Sequence, residues 1–341
     1  MPNTTDVTVA AIGERGLIDR IRVRIGPTPA WITAGVGEDA AVIEPERGAL
    51  DVLTTDSLIE DVHFRRAWTA PDAIGAKAVA VNFSDLAAMG AAPRVVLLSL
   101  GLPPSLPLAD FDELVGGVVR AAHAERAVLV GGNLARSPGP LIVDVTAVGS
   151  VRRRRVLRRS TGRPGDELYV TGTVGAAAAG LAMLEAGVDR QALDDRGRAC
   201  LDRYERPLAR LRLGRAIAAN HAATAAIDLS DGLAEAVRQL ASASGTGAVV
   251  DAGAVPVDPG AGEWSARGGQ DPIVTALAGG EDYELLFAVP ARRRRAFLAS
   301  VSRAGGVPCT RIGRLTAETG AWLERNGGRE PLPAGFAHYR K

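Results

Sequence analysis

Apolar and polar positions change period repeatedly along the first 151 residues. Ala10 to Arg24 carries apolar residues at helical spacing. "DAAVIE" and "ALDVLTTD" read as two strands ending in acids. Pro71 stands at a first-turn position and opens a predicted helix through Met89. "PRVVLLSLGLP" is a β-rich run. Leu108 to Ala124 is helical, with Leu114, Val115, Val118, Val119 and Ala122 on one side. "RAVLVGG" and "LIVDVTAVGSV" read as strands.

A basic stretch, "RRRRVLRRSTGRPGDE", follows, and its turn at Pro164 and Gly165 marks a new start. The second half repeats the style. "ELYVTG", "ATAAIDL", "GAVVDAG", "YELLFAVP", "PCTRIGRL" and "AWLERN" read as strands. Gly175 to Ala186, Asp231 to Ser244 and Arg292 to Ala304 read as helices. The alternation predicts an α/β (α+β) chain of two domains, 1–151 and 152–341.

Composition narrows the class. The 341 residues suit two domains of ordinary size. Apolar residues make up 47% and aromatics only 4%, so the cores must be built from Ala, Val and Leu. A formal net charge of +1 gives no global attraction to nucleic acid or anionic membrane. The two Arg runs, at 152–159 and 292–295, read as solvated faces. Cys200 and Cys309 form neither a disulfide framework nor a zinc spacing. Charge interrupts the N-terminus too early for a signal peptide. Leu168 to Val188 nears membrane-spanning length, but Gly and Thr break it into a strand, a turn and a buried helix. A soluble cytoplasmic protein is expected.

The candidate chemistry lies in acids at turns beside strands. Asp39 sits in "GVGEDAAV", Asp56 ends "LTTD" and Asp85 lies in "FSDL". Asp228 and Asp231 share "IDLSDG", and Glu281 and Asp282 share "GGEDYELLF". Carboxylates beside hydroxyls, without a His or Cys cluster, suit a hard cation such as Mg²⁺. Several such acids imply more than one ion and a polyphosphate. The same residue types also cap helices and turns, and Asp231 could cap the helix that follows it. No Walker motif, kinase His-Arg-Asp loop or hydrolase elbow is present. "TGTVGAAAAG" reads as close strand-to-helix packing rather than a phosphate loop.

Laid out in this order, the segments resemble the thiamine-monophosphate kinase family, within the aminoimidazole-ribonucleotide-synthetase-like superfamily. The matching segments are "GVGEDAAV", "LTTDSLIEDVHF", "AKAVAVNFSDLAAMGAAP", "GRPGDELYVTGTVGAAAAGLA", "AIDLSDGL", "GGEDYELLF" and "PLPAGFAHY". The resemblance implies a PurM-like fold and a homodimer whose N-terminal mixed sheets close into a barrel, with a C-terminal α/β domain. It implies ATP-dependent phosphorylation of thiamine monophosphate, direct and with several Mg²⁺ ions. Asp39, Thr54, Thr55, Asp56, Asp85, Asp228 and Asp231 match metal positions. Gly132, Asn133, Arg159 and Ser230 match ATP contacts, and His63, Glu281 and Phe336 match thiamine contacts. No general base is assigned, because the acceptor phosphate is already anionic. Lys77 is a further candidate for phosphate neutralisation, beside the reading of a surface helix lysine.

One departure stands out. The family usually has Gly-Gly-Asp-Thr where this chain has "GGNLAR", so Asn133 stands at a metal position without a charge. Two alternatives stay open: a superfamily member with another small substrate, or a nucleotide-binding dimer without catalysis.

Overall fold

A computed structural model describes residues 7–335. The chain divides into two compact units. The first comprises 1–86 with 92–152, the second 87–91 with 153–341.

In the first unit, α1 (Val9–Ile25) leads to the short strands β1 (Ile32–Ala34) and β2 (Val42–Ile43). Then come β3 (Ala49–Ile59), α2 (Pro71–Ala88), β4 (Ala92–Leu102), α3 (Leu108–Ala124), β5 (Val128–Arg136) and β6 (Ile142–Arg152). The last four strands named form one sheet in the order β3-β6-β4-β5. The β4–β5 pair is parallel and the other two pairs are antiparallel, so the sheet is mixed. Alternation along β6 buries Val143, Val145 and Ala147 and leaves Ile142, Asp144 and Thr146 on the more open face. The buried face carries a core of short aliphatic side chains with Phe83 and Phe111.

The second unit runs β7 (Glu167–Thr171), α4 (Ala176–Glu185), α5 (Asp195–Glu205), α6 (Leu211–Ala219), β8 (Ala225–Asp228) and α7 (Leu233–Ala243). It continues with β9 (Gly247–Asp251), α8 (Pro259–Arg267), α9 (Pro272–Ala278), β10 (Leu285–Val289), α10 (Arg294–Arg303), β11 (Cys309–Thr316), β12 (Ala321–Arg325) and β13 (Gly328–Pro331). The seven strands order as β13-β12-β9-β11-β7-β10-β8, with only β12–β9 parallel. Helix α7 drives Leu233, Val237 and Leu240 into a core with Leu168, Ile227, Val250 and Leu286. Leu168 to Val188 is a strand, a turn and a ten-residue helix, and no helix among the described residues is long and apolar enough to cross a membrane.

Two sequence expectations change. Asp56 does not end its strand: β3 continues to Ile59, because Ser57, Leu58 and Ile59 keep pairing with β6. The sequence offers Asp85 both as a turn acid and within the helix predicted from Pro71 through Met89; the helix is found, and Asp85 lies in the last turn of α2 rather than in a turn beside a strand.

Candidate active site

The antiparallel pairing of β8 with β10 determines where the second unit's acids meet. Asp228, the last residue of β8, is paired with Leu285, the first of β10. The exit of one strand therefore lies beside the entrance of the other. Strand β7 runs antiparallel to β10, so its C-terminal end falls at the same edge. Three sequence motifs, "IDLSDG", "GGEDYE" and "TGTVG", thus converge on one end of one sheet.

Backbone hydrogen bonds clamp the first two together. Glu281 N–H donates to Ser230 O at 2.7 Å, Tyr283 N–H to Leu229 O at 3.0 Å, and Leu229 N–H to Glu284 O at 2.9 Å. Glu281 and Tyr283 both hold left-handed backbone, with φ of 66° and 50°. Non-glycine residues in that region cost about 1–3 kcal/mol each and persist only where surroundings enforce them. Gly232 makes the approach possible. Its φ of 96° and ψ of 161° lie in a region open essentially to glycine alone. A Cβ there would stand 2.7 Å from Gly279 O and 3.0 Å from Ala278 O.

Beneath this junction lies a buried charge cluster. Glu284, 0% exposed, accepts from Arg203 Nη1 at 2.7 Å, from Arg210 Nε at 2.7 Å and from Thr171 Oγ1. Asp282, also 0% exposed, accepts from Gly175 N–H at 2.6 Å and Ala177 N–H at 3.2 Å, which caps α4. Burial pushes its carboxyl up to about 7, against the pull of the two N–H donors. Asp282 therefore belongs to the scaffold rather than to the acids that face a ligand. The "TGTVG" turn is packing, as its sequence suggests. Asp228 is buried, Ser230 is exposed, and Asp231 and Glu281 are half-buried.

Asp231 is not itself the N-cap residue of its helix. Helices α5, α8 and α9 start on Asp194, Asp258 and Asp271, each accepting from the first-turn backbone. The N-cap of α7 falls on Gly232, one residue past Asp231.

In the first unit the candidates divide between the two faces of the sheet. Thr54 Oγ1 donates to Asp85 Oδ2 at 2.5 Å, and Asp56 shares the Thr54 face of β3 by alternation. Thr55 faces the other way, donating to Asp144 Oδ1 at 3.3 Å and lying 3.0 Å from Thr146 Oγ1. Register places Ser57, Asp144, Ser99 and Asn133 in one row across that face. Ser57 Oγ also donates to Asp144. Sequence reading passed over Asp144. The available signal was a lone carboxylate at an outward position of an apolar strand. Gly132 and Asn133 are exposed.

Asp39 is exposed in a turn whose conformation depends on Gly37, at φ 108°. The Arg22 guanidinium lies where a Cβ would stand, and its Nε donates to Val36 O at 3.0 Å. His63 Nδ1 accepts from Ile59 N–H at 3.1 Å, which puts the proton of the neutral ring on Nε2. Lys77 is not a surface residue. It is 1% exposed and donates to His63 O at 3.2 Å, because its stretch of α2 is buried. Arg159 is exposed and donates to Gln239 Oε1 at 3.0 Å. Phe336 lies outside the described residues.

Among the described residues no group of three acids, histidines or cysteines could hold a metal on its own. The donor set is nonetheless entirely hard oxygen, carboxylate and hydroxyl. That fits Mg²⁺, which typically takes one or two carboxylates, keeps waters and is completed by substrate phosphates.

Two units of this kind define the AIR synthase class. Residues 37–151 match the family AIR synthase related protein, N-terminal domain, and residues 163–323 match its C-terminal domain. Within that class the chain belongs to the thiamine-monophosphate kinase family. It is 34% identical to the thiamine-monophosphate kinase of Synechococcus elongatus over 98% of this chain and 99% of that one. The crystal structure of the Stenotrophomonas maltophilia K279a thiamine-monophosphate kinase superposes with a TM-score of 0.80 at 36% identity, covering 92% of this chain and 96% of that one. A structure of AaThiL complexed with AMPPCP and TMP gives 0.76 at 33% identity, covering 96% and 97%.

Proposed function

We propose that this protein transfers the terminal phosphoryl group of ATP directly to thiamine monophosphate, forming ADP and thiamine diphosphate. The observation that carries the reading is the junction of two motifs. "IDLSDG", with Asp228, Ser230 and Asp231, is hydrogen-bonded backbone to backbone to "GGEDYE", with Glu281. Residues suited to a nucleotide–metal assembly and a residue suited to a cationic ring share one sheet end. The relative solved with an ATP analogue and TMP supports the same pairing of substrates.

In this reading Asp39, Thr54, Thr55, Asp56, Asp85, Asp228 and Asp231 hold Mg²⁺, and Asn133 offers only a carbonyl oxygen. Bound Mg²⁺ supplies charge neutralisation between two anionic substrates. Gly132, Asn133, Ser230 and Arg159 contact ATP. His63, Glu281 and Phe336 hold thiamine monophosphate, with Glu281 opposite its cationic ring. The acceptor oxygen is already ionised, so the residues orient rather than deprotonate it. The clamp on Glu281 and the Ile59 hydrogen bond on His63 serve that orientation. Asp144 adds a carboxylate beside Thr55 on the face where Asn133 lacks one.

The working unit is a homodimer joined through the open face of the four-stranded sheet, where Leu53 is 68% exposed. A cytoplasmic location suits a consumer of ATP and Mg²⁺. The experiment is an end-point assay with purified protein, ATP, Mg²⁺ and thiamine monophosphate, separated by chromatography. Thiamine diphosphate should form, and Asp85→Asn should abolish it. Intact ATP binding without product would count against the reading.

A further inference from the structure

The exposed face of α7 carries a continuous polar chain outside the assigned contacts. Arg159 Nη1 donates to Gln239 Oε1 at 3.0 Å, and Gln239 Nε2 donates to Glu235 Oε1 at 3.3 Å. The second oxygen of the same carboxylate accepts from Arg238 Nη1 at 3.0 Å. Arg238 Nη2 then donates to Leu332 O at 2.7 Å and also to Pro333 O. Ser244, just past the end of α7, donates to Arg159 O at 2.7 Å and accepts from Gly162 N–H at 3.0 Å. One helix thus grips the Arg159 turn at one side and the C-terminal segment at the other.

The segment is held closely. A Cβ on Gly335 would stand 2.8 Å from Asp231 O and 2.8 Å from Glu235 Cβ, so this glycine lies directly on the first turn of α7. The segment therefore lies beside the "SDG" turn as far as Gly335. Two long arginine side chains ordered by one carboxylate would otherwise sample many rotamers. Fixing Arg159 matters for a planar fork that must meet an anion in one orientation.

We infer that Glu235, Gln239 and Arg238 are positioning residues that join the two substrate arms of the site. Gln239 orients Arg159 toward the nucleotide, Arg238 anchors the segment leading to Phe336 on the acceptor side, and Glu235 holds both. This rests on the proposed roles of Arg159 and Phe336. None of the three touches a reacting atom.

The three residues should separate by substrate in the full-length enzyme. Loss of one positioning hydrogen bond is worth roughly fivefold. Gln239→Leu should raise KM for ATP by about that factor and leave KM for thiamine monophosphate alone. Arg238→Met should do the reverse, and hydrogen exchange in residues 332–335 should quicken. Glu235→Ala should raise both constants. A merely structural role would lower Tm without this split. Arg238→Lys keeps the charge, but its single nitrogen cannot reach both the Glu235 carboxylate and the carbonyls of Leu332 and Pro333, and it should show the same selectivity if Arg238→Met folds poorly.

Arg159→Ala and Phe336→Ala serve as controls on the underlying reading. If these two shift their own KM while Gln239→Leu and Arg238→Met shift neither, the inference is overturned and the site assignment stands. If the two controls also leave both constants unchanged, the assignment itself has failed and the inference falls with it.

Discussion

Gly232→Ala is the sharpest perturbation of the junction between the two motifs. The native φ of 96° and ψ of 161° would cost an alanine about 1–3 kcal/mol in backbone strain. Its methyl would meet Gly279 O at 2.7 Å, Ala278 O at 3.0 Å and Leu277 O at 3.1 Å. All three are backbone atoms that cannot rotate aside, and overpacking of this kind adds about 1–3 kcal/mol. The sum is about 2–6 kcal/mol. A loss near 3 kcal/mol would lower Tm by roughly 6–12 °C in a unit of this size. The alternative to unfolding is to move the "GGEDYE" turn away from "SDG", which carries Glu281 out of register. The expected outcome is therefore a lowered Tm in scanning calorimetry together with a raised KM for thiamine monophosphate. A variant within about 0.5 kcal/mol of wild type, with unchanged KM, would refute the described contact between the turns.

Three further perturbations reach other parts of the account. Glu284→Gln leaves Arg203 and Arg210 largely buried without their carboxylate, and denaturant titration should find a loss of about 3–5 kcal/mol; under 1 kcal/mol would mean the cluster is solvated. Asp282 has a folded pKa of about 7, raised above the ordinary 3.8, so its stabilising contribution is complete below about pH 4 and declines as pH rises through 7. The stability of wild type relative to Asp282→Asn should fall across that window, by on the order of 4 kcal/mol at most, and a rise with pH would contradict the sign. Lys77→Met removes the buried ammonium that holds the His63 carbonyl; KM for thiamine monophosphate should rise about fivefold with KM for ATP unchanged, and equal changes in both would point to general destabilisation.

The strands and most long helices were legible in local pattern. Leu108–Ala124 carries a clear 3.6-residue stripe, and α3 has those bounds. Some helices passed over do carry a stripe: α6 buries Leu211, Gly214, Ile217 and Ala218 on one side, and α5 buries Gly197, Cys200, Leu201 and Tyr204. Those stripes are short and set among many charged residues in α5, and α8 contains two glycines. Their caps were nonetheless readable, since Asp258-Pro259 and Asp271-Pro272 place a side-chain acceptor before a proline at the first turn. Asp85 carried two readings, a Ser-Asp turn and the helix predicted from Pro71 through Met89, and the helix is found. Burial of Phe83, Ser84 and Leu86 keeps the stretch helical. The meeting of "IDLSDG" with "GGEDYE" was not legible, because it depends on β8 and β10 being antiparallel neighbours, some fifty residues apart in sequence. Lys77 illustrates the same limit: its burial follows from tertiary packing, whereas the sequence shows only a lysine in a helix.

The central claim is that Asp228 and Asp231, on the "IDLSDG" turn of the second unit, serve one phosphate–metal assembly. A double-mutant cycle on kcat/KM for thiamine diphosphate formation tests it most directly, with Asp228→Asn, Asp231→Asn and the pair assayed at saturating Mg²⁺. Residues that act as a unit are strongly non-additive. Each single variant should lose on the order of 10²-fold or more, and the double variant should be little worse than either single one. Losses that multiply, or a single variant within about threefold of wild type, would contradict the account.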